Sequence, residues 1–219
     1  MRGACALLLA QLTTAFLRPS VGVGRLERLR SSPLELQRDI ADLLAPFGSP
    51  ALNVPEAVAN AVDAKCASLE GSAPPAPLAL LQGRWRVAYA TAPSPSNGAL
   101  GPFRGAAVQI VDVDKKTYVN ELTVGPLRVR LAASYEARSD AELRVTFESI
   151  EAALFGNVAF SKKFPPNVER TWCLTYTDAA VRVVRAGVDG GRSLSREAGF
   201  VSGGDAKDSY LFYLTKERA

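Results

Sequence analysis

The sequence predicts a mainly β protein, an eight-stranded antiparallel barrel preceded by an N-terminal helical hairpin. Three observations predict it. From Arg84 onward, apolar residues recur at every second position, the period of a strand with one buried face. Eight such runs follow one another, separated by turn residues, with no helical pattern between most of them. Over residues 33–71, ahead of these runs, the apolar period is helical instead.

The chain begins with a leader. Residues 1–15, MRGACALLLAQLTTA, have the parts of a signal peptide: Arg2, the apolar run Ala4–Leu12, and the small residues Thr13, Thr14 and Ala15 before a cut. A first helix of the fold is the alternative, but the run is short for one. Residues 16–32 are Arg- and Ser-rich with a single acid, a transit-peptide composition. The junction Ala15-Phe16-Leu17-Arg18-Pro19 resembles the two-part plastid-targeting leader of algae with secondary plastids, one residue longer than its usual spacing.

Charge and composition exclude several function classes. The net charge of +4 sits entirely in residues 1–30, which hold five Arg and one Glu. The remaining 189 residues balance, with 21 basic against 21 acidic side chains, so no overall basic bias invites nucleic acid. The sequence contains no His. Ser-His-Asp and Cys-His nucleophile systems and His-ligated metals are therefore excluded. The three Cys (Cys5, Cys66, Cys173) form no CxxC. A Cys66–Cys173 bridge and two buried free thiols both fit this spacing. No stretch approaches the roughly 18 uninterrupted apolar residues of a membrane-spanning helix.

Residues 33–71 form the predicted helical hairpin. Ser32-Pro33-Leu34-Glu35 is a capping box with Pro at the first helical position. Leu36, Ile40, Leu43, Leu44 and Phe47 follow on one face. Asn53-Val54-Pro55-Glu56 repeats the start signal, and Val58, Val62, Cys66 and Leu69 form a second stripe ended by Gly71. The hairpin could be a lid or a membrane-lying helix, or a cap on one barrel end. The absence of a strongly basic polar face favours the cap. Residues 72–79 form a Pro-rich hinge.

Residues 80–217 are the predicted barrel. Its strands are expected from Arg84, at 106–113, 117–124, 127–137, 142–149, 171–177 and 180–186, and at 209–215. Closure removes exposed edges, and eight strands enclose just enough room for side chains or one small ligand. Parity predicts inward sets: Trp85, Val87, Tyr89; Tyr118, Asn120, Leu122; Leu127, Val129, Leu131; Leu143, Val145, Phe147; Trp172, Leu174, Tyr176; and Tyr210, Phe212, Leu214. Arg84, Arg86, Glu121, Arg128, Arg130, Arg144 and Glu148 take the wet outer face. Asp112-x-Asp114 reads as a hairpin turn rather than a metal site, and the Gly-rich GVDGGR and SGGD stretches read as rim loops.

Gly83-Arg84-Trp85 resembles the opening of lipocalin-type barrels. In such barrels the Trp packs at the closed floor, and an Arg from a late strand crosses its ring. Arg182 and Arg185 are the candidates here, with Gly83 letting the chain enter closely under the floor. In that frame Trp85 is structural and Tyr89, two steps further along, touches the ligand.

Longer motifs carry a family resemblance. LLQGRWRVAYAT (80–91), QIVDVDKKTYVNEL (109–122), LTYTDAAVRVVRAG (174–187) and YLFYLTK (210–216) resemble, in order and spacing, the segments of the plastid-lipid-associated proteins, or plastid fibrillins. Asn120, Tyr176, Asp178, Arg182, Arg185 and Gly187 fall at matching positions. Thr177 stands where the family has Leu, and residues 188–209 replace a tighter turn. The resemblance implies a lipocalin-like barrel in plastids, at thylakoids or plastoglobules, with no shared catalytic constellation. It also implies a hydrophobic partner such as a lipid, quinone or carotenoid.

The expected function is therefore non-enzymatic, without cofactor or metal. A hydrophobic small molecule would sit among Tyr89, Val87, Tyr118, Asn120, Leu122, Val129, Leu131, Val145, Phe147, Leu174, Tyr176 and Phe212, with Asn120, Tyr89 and Tyr176 orienting it. A structural coat protein with a self-filled barrel is the alternative; an enzyme acting on an isoprenoid quinone is a third reading. In ALFGNVAFSKKFPP (153–166), Phe155, Phe160 and Phe164 flank Lys162 and Lys163 in what reads as a loop or short helix. These residues suit either a membrane-surface contact or a cap on the barrel mouth.

Overall fold

A computed structural model of the chain describes residues 31–72, 76–166, 168–187 and 209–217. The predicted leader as far as residue 30 and nearly all of the 188–209 stretch lie outside the described residues.

Helix α1 (Pro33–Leu44) begins where the capping box places it. The Ser32 amide donates to Glu35 Oε2 at 2.7 Å, and the Glu35 amide donates to Ser32 Oγ at 3.3 Å. Helix α2 (Glu56–Glu70) has no side-chain cap. Asn53, expected to open it, instead takes a left-handed turn at φ 56°, and Pro55 precedes the first helical residue.

Eleven strands follow among the described residues: β1 (Gly83–Ala90), β2 (Ala99–Leu100), β3 (Phe103–Arg104), β4 (Ala106–Asp112), β5 (Thr117–Val124), β6 (Leu127–Ser139), β7 (Glu142–Leu154), β8 (Asn157–Lys163), β9 (Glu169–Thr177), β10 (Val181–Gly187) and β11 (Ser209–Lys216). Eight of them close a ring in the order β1-β4-β5-β6-β7-β9-β10-β11, and every pairing is antiparallel. The predicted barrel is therefore the fold. β2 and β3 form a small ribbon between β1 and β4. β8 stands outside the ring. It pairs with the second half of β7, while the first half of β7 pairs with β9.

Three β-bulges decide which side chains enter the barrel. In β1 the register slips between Val87 and Tyr89, so Val87 faces inward and Tyr89 outward. Opposite Val183 and Val184 the extra residue is Thr175, which turns Tyr176 outward while Leu174 stays inside. In β7 the slip between Phe147 and Ser149 hands the inward position from Phe147 to Ile150. A bulge inserts one residue, and one residue is enough to exchange the two faces of a period-2 strand.

The outward residues make a second core. Leu36, Ile40 and Leu44 of α1 and Val62, Cys66 and Leu69 of α2 pack on Tyr89, Tyr176, Val181, Val183, Leu211 and Tyr213. The helices therefore lie on the outer wall over β9, β10, β11 and β1, rather than capping a barrel end as expected. Each fully buried Leu or Ile here contributes about 1.5–3 kcal/mol. Polar ties fix the docking. Gln37 Nε2 and the Tyr176 hydroxyl both donate to Asp178 Oδ2, at 2.6 and 2.7 Å. Arg185 pairs with Glu70 at 2.8 Å and with Asp63 at 3.1 Å.

Candidate functional site

Two features outside the helix-docking wall could carry function: the barrel interior and the β7–β8 hairpin. The floor of the interior is built on Trp85, which is fully buried. Its indole N–H donates to the Leu81 carbonyl at 2.9 Å, in the 3-10 turn Leu78–Leu81 that closes this end. The Arg182 guanidinium carbon lies 4.9 Å from the ring centre, and Lys216 Nζ lies 4.2 Å from it. Gly83 enters beneath with φ 111°, and a Cβ there would come within 3.2 Å of Lys216 Nζ. Of the two candidates for crossing the Trp85 ring, Arg182 does so. Arg185 is corrected: it points outward to Glu70 and Asp63, because neighbouring residues on β10 alternate faces.

Arg182 is almost wholly buried, and its Nη2 donates to the neutral Gln109 Oε1. Burial lowers its pKa to about 10, and nearby Tyr118 partly opposes the shift. Burial likewise raises the Tyr118 hydroxyl well above its ordinary value, and that hydroxyl donates to Asn120 Oδ1 at 3.0 Å. Gln109 opens one of the segments that carry the family resemblance, but no site role was read for it. Its inward parity with Ala107 and Val111 on β4 was the available signal.

Above the floor the interior is filled by aromatic rings. Tyr118 on β5 meets Trp172 on β9 edge-to-face at 4.8 Å, and Trp172 stacks on Phe212 of β11 at 5.6 Å and 15°. Tyr118 and Trp172 stand three places apart around the ring, so their contact spans the barrel. Val87, Leu122, Val129, Val145, Phe147, Leu174 and Leu214 close around them, all buried. These rings and aliphatic side chains pack on one another across the middle of the interior. Leu127, Leu131 and Tyr210 are only partly buried, against the edge of this cluster. Two buried donors, Arg182 Nε and Trp172 Nε1, have no hydrogen-bond partner.

Of the residues expected to line a ligand, Val87, Tyr118, Leu122, Val129, Val145, Phe147, Leu174 and Phe212 belong to this interior cluster. Leu131 packs against it, and Asn120 is tied to it by the Tyr118 hydroxyl. Tyr89 and Tyr176 are corrected. Both lie outside the barrel beneath the helices, because the bulges at Ala88 and Thr175 reverse their parity.

The segment read as a loop or short helix is strand β8 and its hairpin turn. Phe155 and Gly156 form the tip, both with positive φ (50° and 83°), and Leu154 pairs with Asn157 across it. This is the geometry of a two-residue hairpin turn, and Gly156 at its second central position was the unread signal. Phe155 is 78% exposed and Val158 58%, with Leu154 and Phe160 exposed beside them. Lys162 and Lys163 are exposed further along β8. Phe164 is corrected: it is buried, 6.3 Å from Phe147, and its amide is held by the Glu148 carbonyl. Leu154 and Val158 were missed, as was Phe103, 62% exposed on the β2–β3 ribbon.

A shallow depression of about 370 Å³ opens on the outer wall between Glu70, Glu142, Cys173 and Thr175. It gathers no unpartnered buried donor. No curated protein matches this chain. The PAP_fibrillin family model matches residues 49–190, from just ahead of α2 through β10 and well over half of the chain.

Proposed function

Because this chain belongs to the plastid lipid-associated protein (fibrillin) family, we propose that it works at a plastid lipid surface as a non-enzymatic coat or scaffold protein. Its barrel is a rigid, self-filled body, and the exterior does the binding. One observation carries this reading, the Tyr118–Trp172–Phe212 stack that occupies the middle of the barrel. Holding an apolar molecule there would require breaking the stack. An exterior contact requires no rearrangement and gains about 25 cal/mol for each Å² of apolar surface covered.

Floatation of the full chain with lipid emulsions and vesicles tests the proposal. The expected outcome is co-floatation with unchanged Trp emission, since Trp85 and Trp172 are sealed inside. Failure to float with any lipid surface would sink the reading.

A second reading has one observation in its favour. Arg182 Nε and Trp172 Nε1 are buried donors without acceptors, and Tyr118 neighbours both residues. Each unpaired buried donor costs about 1–3 kcal/mol. An apolar molecule bearing a carbonyl oxygen, such as a quinone, could satisfy one of them if the stack opened. Saturable quenching of Trp emission by a soluble quinone would favour this alternative.

A further inference from the structure

We propose that the β7–β8 hairpin is the docking element of this protein, and that its target is an anionic lipid surface into which the hairpin tip inserts. The proposal rests on the lipid-surface reading above and adds to it the contact site and the chemistry of the surface.

The hairpin forms where β7 parts from β9, while β7 stays paired with β6 as far as Leu154–Leu127. β9 pairs with β7 only at Glu142–Thr146, and β8 takes over from Ser149 to Leu154. Its tip carries Leu154, Phe155, Val158 and Phe160, all exposed. In the register, Val158 faces Ala153 and Phe160 faces Ala152, so the two side chains leave from opposite faces of the ribbon. A ribbon apolar on both faces and at its tip suits immersion in a fluid apolar medium. Docking onto a protein would need only one such face.

The order of residues along β8 supplies the polarity gradient. Lys162 lies about 7 Å behind Phe160 at about 3.3 Å per residue, with Lys163 next. The rings can enter the acyl boundary while the ammonium groups remain at the depth of lipid phosphates. Arg128 adds a third cation, since it stands opposite Ala153 in the same row as Val158. The nearest acids on β7, Glu148 and Glu151, lie behind the tip, with Glu151 opposite Ser161. Charge therefore favours an anionic surface. The paired lysines on this edge strand also disfavour pairing with a second copy.

Phe103 widens the contact. Gly105, two residues on, lies against Val124 and Leu122, and the Phe155 amide donates to the Pro126 carbonyl at 3.0 Å. Phe103 and Phe155 thus flank the same β5–β6 turn, at one end of the barrel. That end is opposite the Trp85 floor, because β1 enters at Gly83, which pairs with Val111 near one end of β4, while Ala106 at the other end pairs with Thr123 beside the turn. The protein would stand on the lipid with its floor pointing away.

Vesicle floatation of the full chain tests the proposal, using phosphatidylcholine alone and phosphatidylcholine mixed with phosphatidylglycerol. Wild type should float with the mixed vesicles. Phe155→Ser/Phe160→Ser should bind at least about tenfold more weakly, and Lys162→Glu/Lys163→Glu about fivefold more weakly per lysine at low salt. A Phe155→Trp variant reads insertion without removing apolar surface, and its added emission should be quenched by brominated acyl chains. If wild type floats but the Ser variant floats equally, or Phe155→Trp stays unquenched, the hairpin assignment is overturned and the lipid-surface reading stands. Equal floatation on both vesicle types overturns the anionic preference. Should wild type float with no lipid surface, the underlying reading falls and takes the hairpin with it.

Discussion

Tyr118 and Trp172 stand three strands apart around the barrel, yet their rings meet edge-to-face with centroids 4.8 Å apart. The contact carries an aromatic core across the middle of the barrel. Trp172→Ala should therefore behave as a large-to-small core substitution, costing about 3–5 kcal/mol. It should also open a space that takes up a small apolar dye. Urea denaturation and dye fluorescence check the two outcomes. A variant of unchanged stability would mean that the barrel was already hollow around Trp172.

Trp85→Phe keeps an aromatic ring on the floor but loses the hydrogen bond to Leu81 and part of the surface under Arg182 and Lys216. The expected loss is about 1–3 kcal/mol, seen as a lower urea midpoint. Lipid floatation should stay at the wild-type level, because the floor lies at the far end from the hairpin. A stable variant that no longer floats would contradict this orientation.

Much of the fold was legible because it follows the period-2 rule: eight strands, their order around a meander, and most inward residues. The misplaced residues cluster at bulges. Nothing in VAYA or LTYT marks Ala88 or Thr175 as the extra residue, yet each one reverses the face of the Tyr beside it. The bulge in β7 likewise broke the alternation after Phe147, which hid the second half of that strand and the hairpin it leads to. The floor was more readable, since Gly83, Trp85 and a late Arg form a constellation of residue types. Which Arg it was depended on β10 parity. Phe164 was misread because exposure is a property of packing, and the three Phe in the segment look alike in sequence.

The helix-docked wall predicts a sharp difference between two thiols. Cys66 is fully buried on the wall-facing side of α2, and burial pushes its pKa up to about 12, with Glu70 reinforcing the shift and Arg185 opposing it. Cys173 is partly exposed on β9. At pH near 8, iodoacetamide should alkylate Cys173 more than about a hundredfold faster than Cys66. Peptide mass spectrometry reads the two sites separately. Ile40→Ala, expected to cost about 2–5 kcal/mol, should narrow the gap by loosening α1 from the wall.

Asp178 predicts a pH dependence. Burial opposes its charge, but hydrogen bonds from Tyr176, from the Val181 and Ala180 amides and from Gln37 outweigh burial and hold its pKa below the ordinary value. A carboxylate with a depressed folded-state pKa contributes stability above its unfolded pKa, about 3.9, and loses it as pH falls through the folded value. Asp178→Asn should therefore be less stable than wild type at pH 7, and the difference should shrink below about pH 4. Urea midpoints taken from pH 7 down to pH 3 give the comparison. A gap that stays constant across that range would show that the Asp178 charge contributes nothing.

A barrel filled by its own side chains would meet lipid only on its exterior. Native mass spectrometry of the full chain with Phe155→Ser/Phe160→Ser, purified from lipid-rich membranes, tests it most directly, because that variant lacks the exterior contact. The expected result is the bare polypeptide mass. One hydrophobic molecule per chain, retained through dilution and released only on unfolding, would contradict it and place a ligand beside Trp172.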